Sequence, residues 1–220
     1  MAHRFDIELA AKMVEASYRG ADHKSLRGHV QKELDHNDVQ ALFLDTKMLL
    51  IPGSNSLADY LKFNTRVRNL GGKRLRLSDE HTEKGASGTH WHQGFLRFAK
   101  EIYDWLEREN LRPTYIAGHS LGAAATQILV RTYGVPGIAF AAPRPRRHQG
   151  AIKHSHLCLC LNRDDDSVCD LPPHFHHMGK VHRARAKRSV FGPDHSMKHY
   201  RKVVEEQQEA GLLAKMWPPR

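Results

Sequence analysis

Apolar positions along this chain change period several times, and each change marks an element. From Phe5 to Tyr18, the residues Phe5, Ile7, Leu9, Ala10, Met13, Val14 and Tyr18 recur close to every 3.6 positions, the stripe of an amphipathic helix. His23 to Asp38 is polar and charged and reads as a helical or irregular surface excursion. Two apolar runs follow, Val39 to Leu44 and Met48 to Ile51, parted by Asp45-Thr46-Lys47, and they read as strands paired in a hairpin. Ser54 or Ser56 caps a short helix with Leu57, Tyr60 and Leu61 on one face. Lys73 to Leu77 is a short strand candidate, and the chain from there to residue 89 reads as a loop. A second helical stripe, Phe95, Phe98, Ala99, Ile102, Trp105 and Leu106, predicts a helix from Phe95 to Glu109. Thr114 to Ala117 is a buried strand and Ala123 to Arg131 a helix without Pro or Gly. Ile138 to Pro143 and His156 to Leu161 are further strands, Val181 to Val190 is a polar, basic edge strand, and the last helix runs from Ser196 to about Ala214. Helices alternating with strands in 220 residues predict a single α/β domain with a mostly parallel central sheet flanked by helices.

The sharpest chemical signal is Gly118-His119-Ser120-Leu121-Gly122, between the strand at 114–117 and the helix that follows. A Gly-rich turn before a core helix is the plain structural alternative. In a strand–turn–helix context, however, G-x-S-x-G reads as a nucleophile elbow. The serine is forced onto a strained turn, small residues at 118 and 122 let strand and helix close around it, and the helix start aims free N–H groups at a developing oxyanion. A serine nucleophile needs a base and an orienting acid, and in α/β-hydrolases these follow in the order acid, then histidine. His195 lies in a loop before the last helix. Asp164, Asp165 and Asp166 all follow a predicted strand, and spacing alone does not choose among them.

Several motifs in one order resemble the class 3, fungal-type lipases. Ile51-Pro52-Gly53-Ser54 is similar to the family's Phe-Arg-Gly-Thr/Ser strand end, and His92-Gln93-Gly94-Phe95 to its His-x-Gly-Phe. Tyr115 to Leu121 resembles its elbow, and Phe140-Ala141-Ala142-Pro143-Arg144 its Phe-Gly-x-Pro-Arg. Asp166 to Pro172 fits Asp-x-Val-x-x-Leu-Pro, and His195-Ser196 with Tyr200 fits the segment around the family's histidine. The resemblance spans residues 48 to 200, within a motif-bearing core of about 39–205, and implies an α/β-hydrolase fold over residues 1–220. By position it implies Ser120 as nucleophile, His195 as general base and Asp166 as the acid, with the backbone N–H groups of Ser54 and Leu121 as the oxyanion hole. It implies hydrolysis of carboxylic esters of lipids through an acyl-enzyme, as lipase, esterase or phospholipase A, without metal or organic cofactor. Pro52 and Ala141 depart from the family's usual arginine and glycine. The segment in the lid position, Ser56 to Phe63, is short and has a small apolar face, which favours a soluble or small ester.

Charge adds a second function class. A net charge of +10 favours anionic partners, and Lys180 to Arg188 with Arg144, Arg146 and Arg147 supplies much of it. No nucleic-acid-binding pattern accompanies these residues, so an anionic membrane surface is the preferred partner and nucleic acid is disfavoured. The alternative function is a basic binding module for anionic lipid or nucleic acid on a catalytically silent hydrolase fold. His174, His176 and His177 lack a carboxylate or cysteine placed to complete a tetrahedral site, so no metal is expected. Cys158, Cys160 and Cys169 read as free thiols. No apolar run reaches the roughly 18–20 residues that span a bilayer. The N-terminal stretch carries charges within its apolar pattern, unlike a signal peptide, so the default location is cytoplasmic, with export by another route left open.

Overall fold

A computed structural model describes residues 4–53, 82–185 and 195–219. In chain order its elements begin with β1 (Phe5–Asp6), α1 (Ile7–Ser17), β2 (Val30–His36), β3 (Val39–Leu44) and β4 (Met48–Ile51). After them come β5 (Thr82–Lys84), β6 (His90–His92), α2 (Gln93–Arg108), β7 (Tyr115–His119), α3 (Leu121–Tyr133) and β8 (Gly137–Phe140). The chain continues with β9 (Cys158–Arg163), β10 (Lys180–Ala184), α4 (Met197–Glu209) and β11 (Met216–Trp217).

Seven strands form the central sheet in the order β10-β9-β8-β7-β4-β3-β2. The pairs from β10 to β4 are parallel, and β4–β3 and β3–β2 are antiparallel. The inner strands are mostly apolar because helices cover both faces. Successive side chains point to opposite sides, so each strand divides its residues between two cores. Leu49, Ile51, Ile116, Ala139, Cys158 and Cys160 pack with Phe95, Ile102 and Trp105 of α2 and Ala124, Ile128 and Leu129 of α3. Met48, Leu50, Tyr115, Ala117, Ile138, Phe140, Leu159 and Leu161 pack with Ile7, Ala10 and Val14 of α1 and Tyr200 and Val204 of α4.

Several regions depart from the expectation, among them Phe5–Asp6, which form β1 rather than the start of α1, and the unexpected strands β6 and β11. The polar excursion before residue 38 contains β2, and the expected loop before residue 89 contains β5. β2 is the outer strand of the sheet and buries only Leu34 fully, so it carries almost none of the alternation that marks a strand. β10 is the opposite edge, pairs in parallel with β9, and ends at Ala184. The C-terminal helix ends at Glu209. All three cysteines are free and buried. No helix among the described residues is long and apolar enough to cross a membrane. Ser54, the 56–63 segment, the strand candidate at 73–77 and residues 186–194 lie outside the described residues.

Candidate active site

The elbow forms because two glycines let three backbones meet. A β-carbon on Gly122 would stand 2.1 Å from the Ile51 carbonyl oxygen of β4, and one on Gly118 would stand 2.5 Å from the Gly122 carbonyl oxygen. Either contact would push β4, β7 and α3 apart. Between them, Ser120 adopts φ 60° and ψ −119° as the residue preceding α3. Such a φ is unfavourable for a residue with a side chain and persists only where its surroundings impose it. Here they do: the Ser120 N–H donates to the Phe140 carbonyl at 3.0 Å, and the Ser120 carbonyl accepts from Ala123 at 3.0 Å. Leu121 is the first residue of α3, so its N–H is one of those an α-helix leaves without an internal partner.

Ser120 Oγ lies 2.6 Å from His195 Nε2, and His195 Nδ1 lies 2.7 Å from Asp166 Oδ2. The three residues come from the end of β7, the approach to α4 and the turn after β9. Asp166 is only 2% exposed. The Tyr200 hydroxyl donates to its Oδ2 at 2.8 Å, and the Val168 N–H donates to its Oδ1 at 3.0 Å. Burial opposes ionisation of this carboxyl, but the bonds from His195, Tyr200 and Val168 outweigh it and hold Asp166 below the usual carboxylate range. The neighbouring acids face elsewhere. Asp165 accepts two bonds from the Arg163 guanidinium, at 2.9 and 2.8 Å, and Asp164 is exposed. Of the three adjacent aspartates, Asp166 is the one in contact with His195.

Tyr200 fits its expected position after His195, and its hydroxyl also accepts the Arg163 N–H at 3.2 Å. Two residues of the site were not singled out by sequence reasoning. His119 is buried beside Ser120 with its ring centroid 5.0 Å from that of His195, and Tyr18 reaches His119 from the end of α1. His119 carried a signal as a polar residue inside an otherwise apolar strand and elbow. Tyr18 carried none, since it continues the apolar stripe of α1.

Ser54, the other expected oxyanion donor, lies outside the described residues. Gly53, just before it, packs against the Ser120 side chain. His177 Nε2 lies 2.8 Å from the Ala142 carbonyl and 3.1 Å from Asn162 Nδ2, and burial lowers its pKa to about 4. Among the described residues, no group of three or more His, Cys, Asp or Glu is arranged to hold a metal ion. Among the described basic residues, Arg144 and Arg183 both bond Asp170, and Arg146 is buried.

No protein-family model matches the chain, and no curated protein matches it. Solved structures do. A mutant of MDLA from Penicillium cyclopium is similar over 84% of this chain and 81% of its own, with a TM-score of 0.56 and 16% identity. Lip2 lipase from Yarrowia lipolytica is similar over 82% of both chains, with a TM-score of 0.55 and 12% identity. A triacylglycerol lipase from Penicillium expansum is similar over 81% of this chain and 77% of its own, with a TM-score of 0.50 and 15% identity. Identities this low speak for architecture alone. The chain shares the α/β fold of these structures, a mostly parallel sheet flanked by helices.

Proposed function

We propose that this protein is a serine hydrolase that cleaves carboxylic ester bonds of lipids or small esters, with Ser120 as nucleophile, His195 as general base and Asp166 as the orienting acid. The observation that carries this reading is the unbroken run of contacts from Ser120 Oγ through both ring nitrogens of His195 to a buried carboxylate. His195 Nε2 takes the hydroxyl proton as Oγ attacks the ester carbonyl carbon, and Asp166 stabilises the imidazolium. The N–H groups of Leu121 and Ser54 stabilise the tetrahedral oxyanion. Collapse expels the alcohol, which takes the proton from His195 and leaves the acyl group on Ser120. A water that gives its proton to His195 then attacks the acyl carbon, and the carboxylic acid departs as Ser120 regains a proton. The scheme uses no metal or organic cofactor.

Hydrolysis of p-nitrophenyl esters from acetate to palmitate tests the reading, with wild type and Ser120→Ala side by side. Turnover by wild type and a fall of about 10⁶-fold in kcat for the variant, with little change in melting temperature, is the expected outcome. The chain-length optimum separates a small-ester hydrolase from a lipase. No turnover at any chain length would remove the reading and favour a binding module on a silent hydrolase fold.

The net charge of +10 supports a second element, attachment to an anionic phospholipid surface, which suits a phospholipase A or lipase. Since Arg144, Arg146 and Arg183 are engaged or buried, this role falls to exposed residues such as Lys180 and Arg185. Sedimentation with phosphatidylserine vesicles should weaken as salt rises, and salt-insensitive binding would remove the role.

A further inference from the structure

The hydroxyl of Tyr18, the residue that ends α1, touches two parts of the site at once. It accepts the Gly53 N–H at 2.7 Å and lies 2.6 Å from His119 Nδ1. Gly53 lies two residues beyond β4, and His119 immediately precedes Ser120. The phenol therefore links the backbone just after β4 to the nucleophile turn. Space there is tight: a β-carbon on Gly53 would stand 2.6 Å from the Tyr18 hydroxyl, 2.8 Å from Ser120 Cβ and 2.9 Å from the His119 carbonyl oxygen.

The proton positions follow from the chemistry of the two partners. Burial, and next the charge of His195, lowers the pKa of His119 to about 3, so its imidazole is neutral and has one acceptor and one donor nitrogen. Burial of the Tyr18 hydroxyl raises its pKa, so the phenol keeps its proton. With a lone pair taken by Gly53, that proton is available to His119 Nδ1. The hydrogen of His119 then sits on Nε2, which is buried, makes no well-formed hydrogen bond among the described residues, and faces the His195 backbone. Tyr18 as a whole residue is 38% exposed, although its hydroxyl is engaged by Gly53 and His119.

We infer that Tyr18 is a positioning residue: its hydroxyl ties Gly53 to His119 and so sets the oxyanion strand, the nucleophile turn and the His195 loop relative to one another. The inference rests on the function proposed above, because Gly53 leads directly into Ser54. Tyr18 touches no reacting atom in this role. It acts on the distance between Ser120 Oγ and the oxyanion donors, which matters more to the tetrahedral state than to the bound ester.

Tyr18→Phe removes the hydroxyl and keeps the ring. A direct oxyanion donor is worth about 10²–10³ in kcat, so a group one step removed should cost about 10-fold, with KM changed less than about twofold. Affinity for an alkyl boronic acid, which forms a tetrahedral adduct on a serine, should fall by about the same 10-fold. Tyr133→Phe is the control, since among the described residues the Tyr133 hydroxyl bonds Glu107 of α2, and it should match wild type. An unchanged kcat in Tyr18→Phe, or a loss confined to KM, would overturn the inference. Nitrogen-15 NMR of labelled histidines supplies a readout independent of turnover. His119 should be neutral with its proton on Nε2, and its Nδ1 resonance should move in Tyr18→Phe; a proton on Nδ1 in wild type would overturn the assignment. Were wild type to hydrolyse no ester, the proposed function would fail while the NMR result still judged the Tyr18–His119 bond.

Discussion

Under the proposed function an acid–base side and an oxyanion side flank the Ser120 hydroxyl, and the two are built on different principles. On the acid–base side, Asp166 is buried and ionised, and three donors share the work: His195, the Tyr200 hydroxyl and the Val168 N–H. On the oxyanion side, Gly53 and Gly122 are held by fit, with the Tyr18 phenol as the hydrogen-bonded tie to Gly53. The difference follows from what each side must provide. A buried carboxylate is expensive unless several donors replace its water, whereas backbone amides need only be placed at the right distance. One side should therefore tolerate loss of a single supporting bond, and the other should fail on a single methyl group.

The largest test of this contrast separates Asp166 from its neighbour. Asp166→Asn should lower kcat about 10⁴-fold, since the amide cannot hold His195 in the tautomer that accepts the Ser120 proton. Asp165→Asn should instead lower stability by about 1–3 kcal/mol through the Arg163 pair and leave kcat within a few-fold. Equal kinetic losses at the two positions would break the assignment. Gly53→Ala comes next. Its methyl would meet the Tyr18 hydroxyl, Ser120 Cβ and the His119 carbonyl at under 3 Å, and displacing the strand by about 1 Å should cost about 10² in kcat. A variant with wild-type kcat would show that fit is not what holds this side.

The smallest test uses pH and reads stability. His119 and His177 are buried as neutral imidazoles, with folded pKa values of about 3 and about 4, while a histidine in the unfolded chain titrates near 6.5. Their folded pKa values are depressed, so the unfolded state binds protons first. The stability they contribute is complete above pH 6.5 and is lost as pH falls toward 4 and then 3. Each should cost about 2 kcal/mol between pH 7 and 5, measured by urea denaturation. Asp166 adds its own loss only at lower pH, because its depressed pKa confines protonation to below about 4. A flat profile from pH 7 to 5 would mean that His119 does not stay neutral on the oxyanion side.

Much of this architecture was legible in the chain. The stripe Phe95, Phe98, Ala99, Ile102, Trp105 and Leu106 is buried as expected on α2, and the runs 39–44 and 48–51 form the expected hairpin of strands. β2 was not legible, because an outer strand needs almost no apolar face and gains its backbone bonds from β3 alone. The stripe of α1 was legible but incomplete as a guide: Leu9 and Tyr18 belong to its pattern and remain exposed. The Gly118 to Gly122 elbow was legible because strand, turn and helix are consecutive, so every residue that makes it lies within a few positions.

By itself the sequence determined the inner strands and the main helices, the elbow with Ser120 at its tip and the set of residues from which an acid and a base could be drawn. Each depends on local spacing: a period of 2 or 3.6, or a glycine on either side of a serine. Only the tertiary structure decided that Asp166, which spacing left open and the family resemblance implied, lies against His195, that His119 is buried beside Ser120, and that Tyr18 joins Gly53 to it. Those contacts cross 29, 35 and 101 positions of chain. No local pattern encodes them, because burial and hydrogen bonding at such separations are set by how β4, β7, α1 and α4 pack, and one residue's shift along any of them would select a different partner.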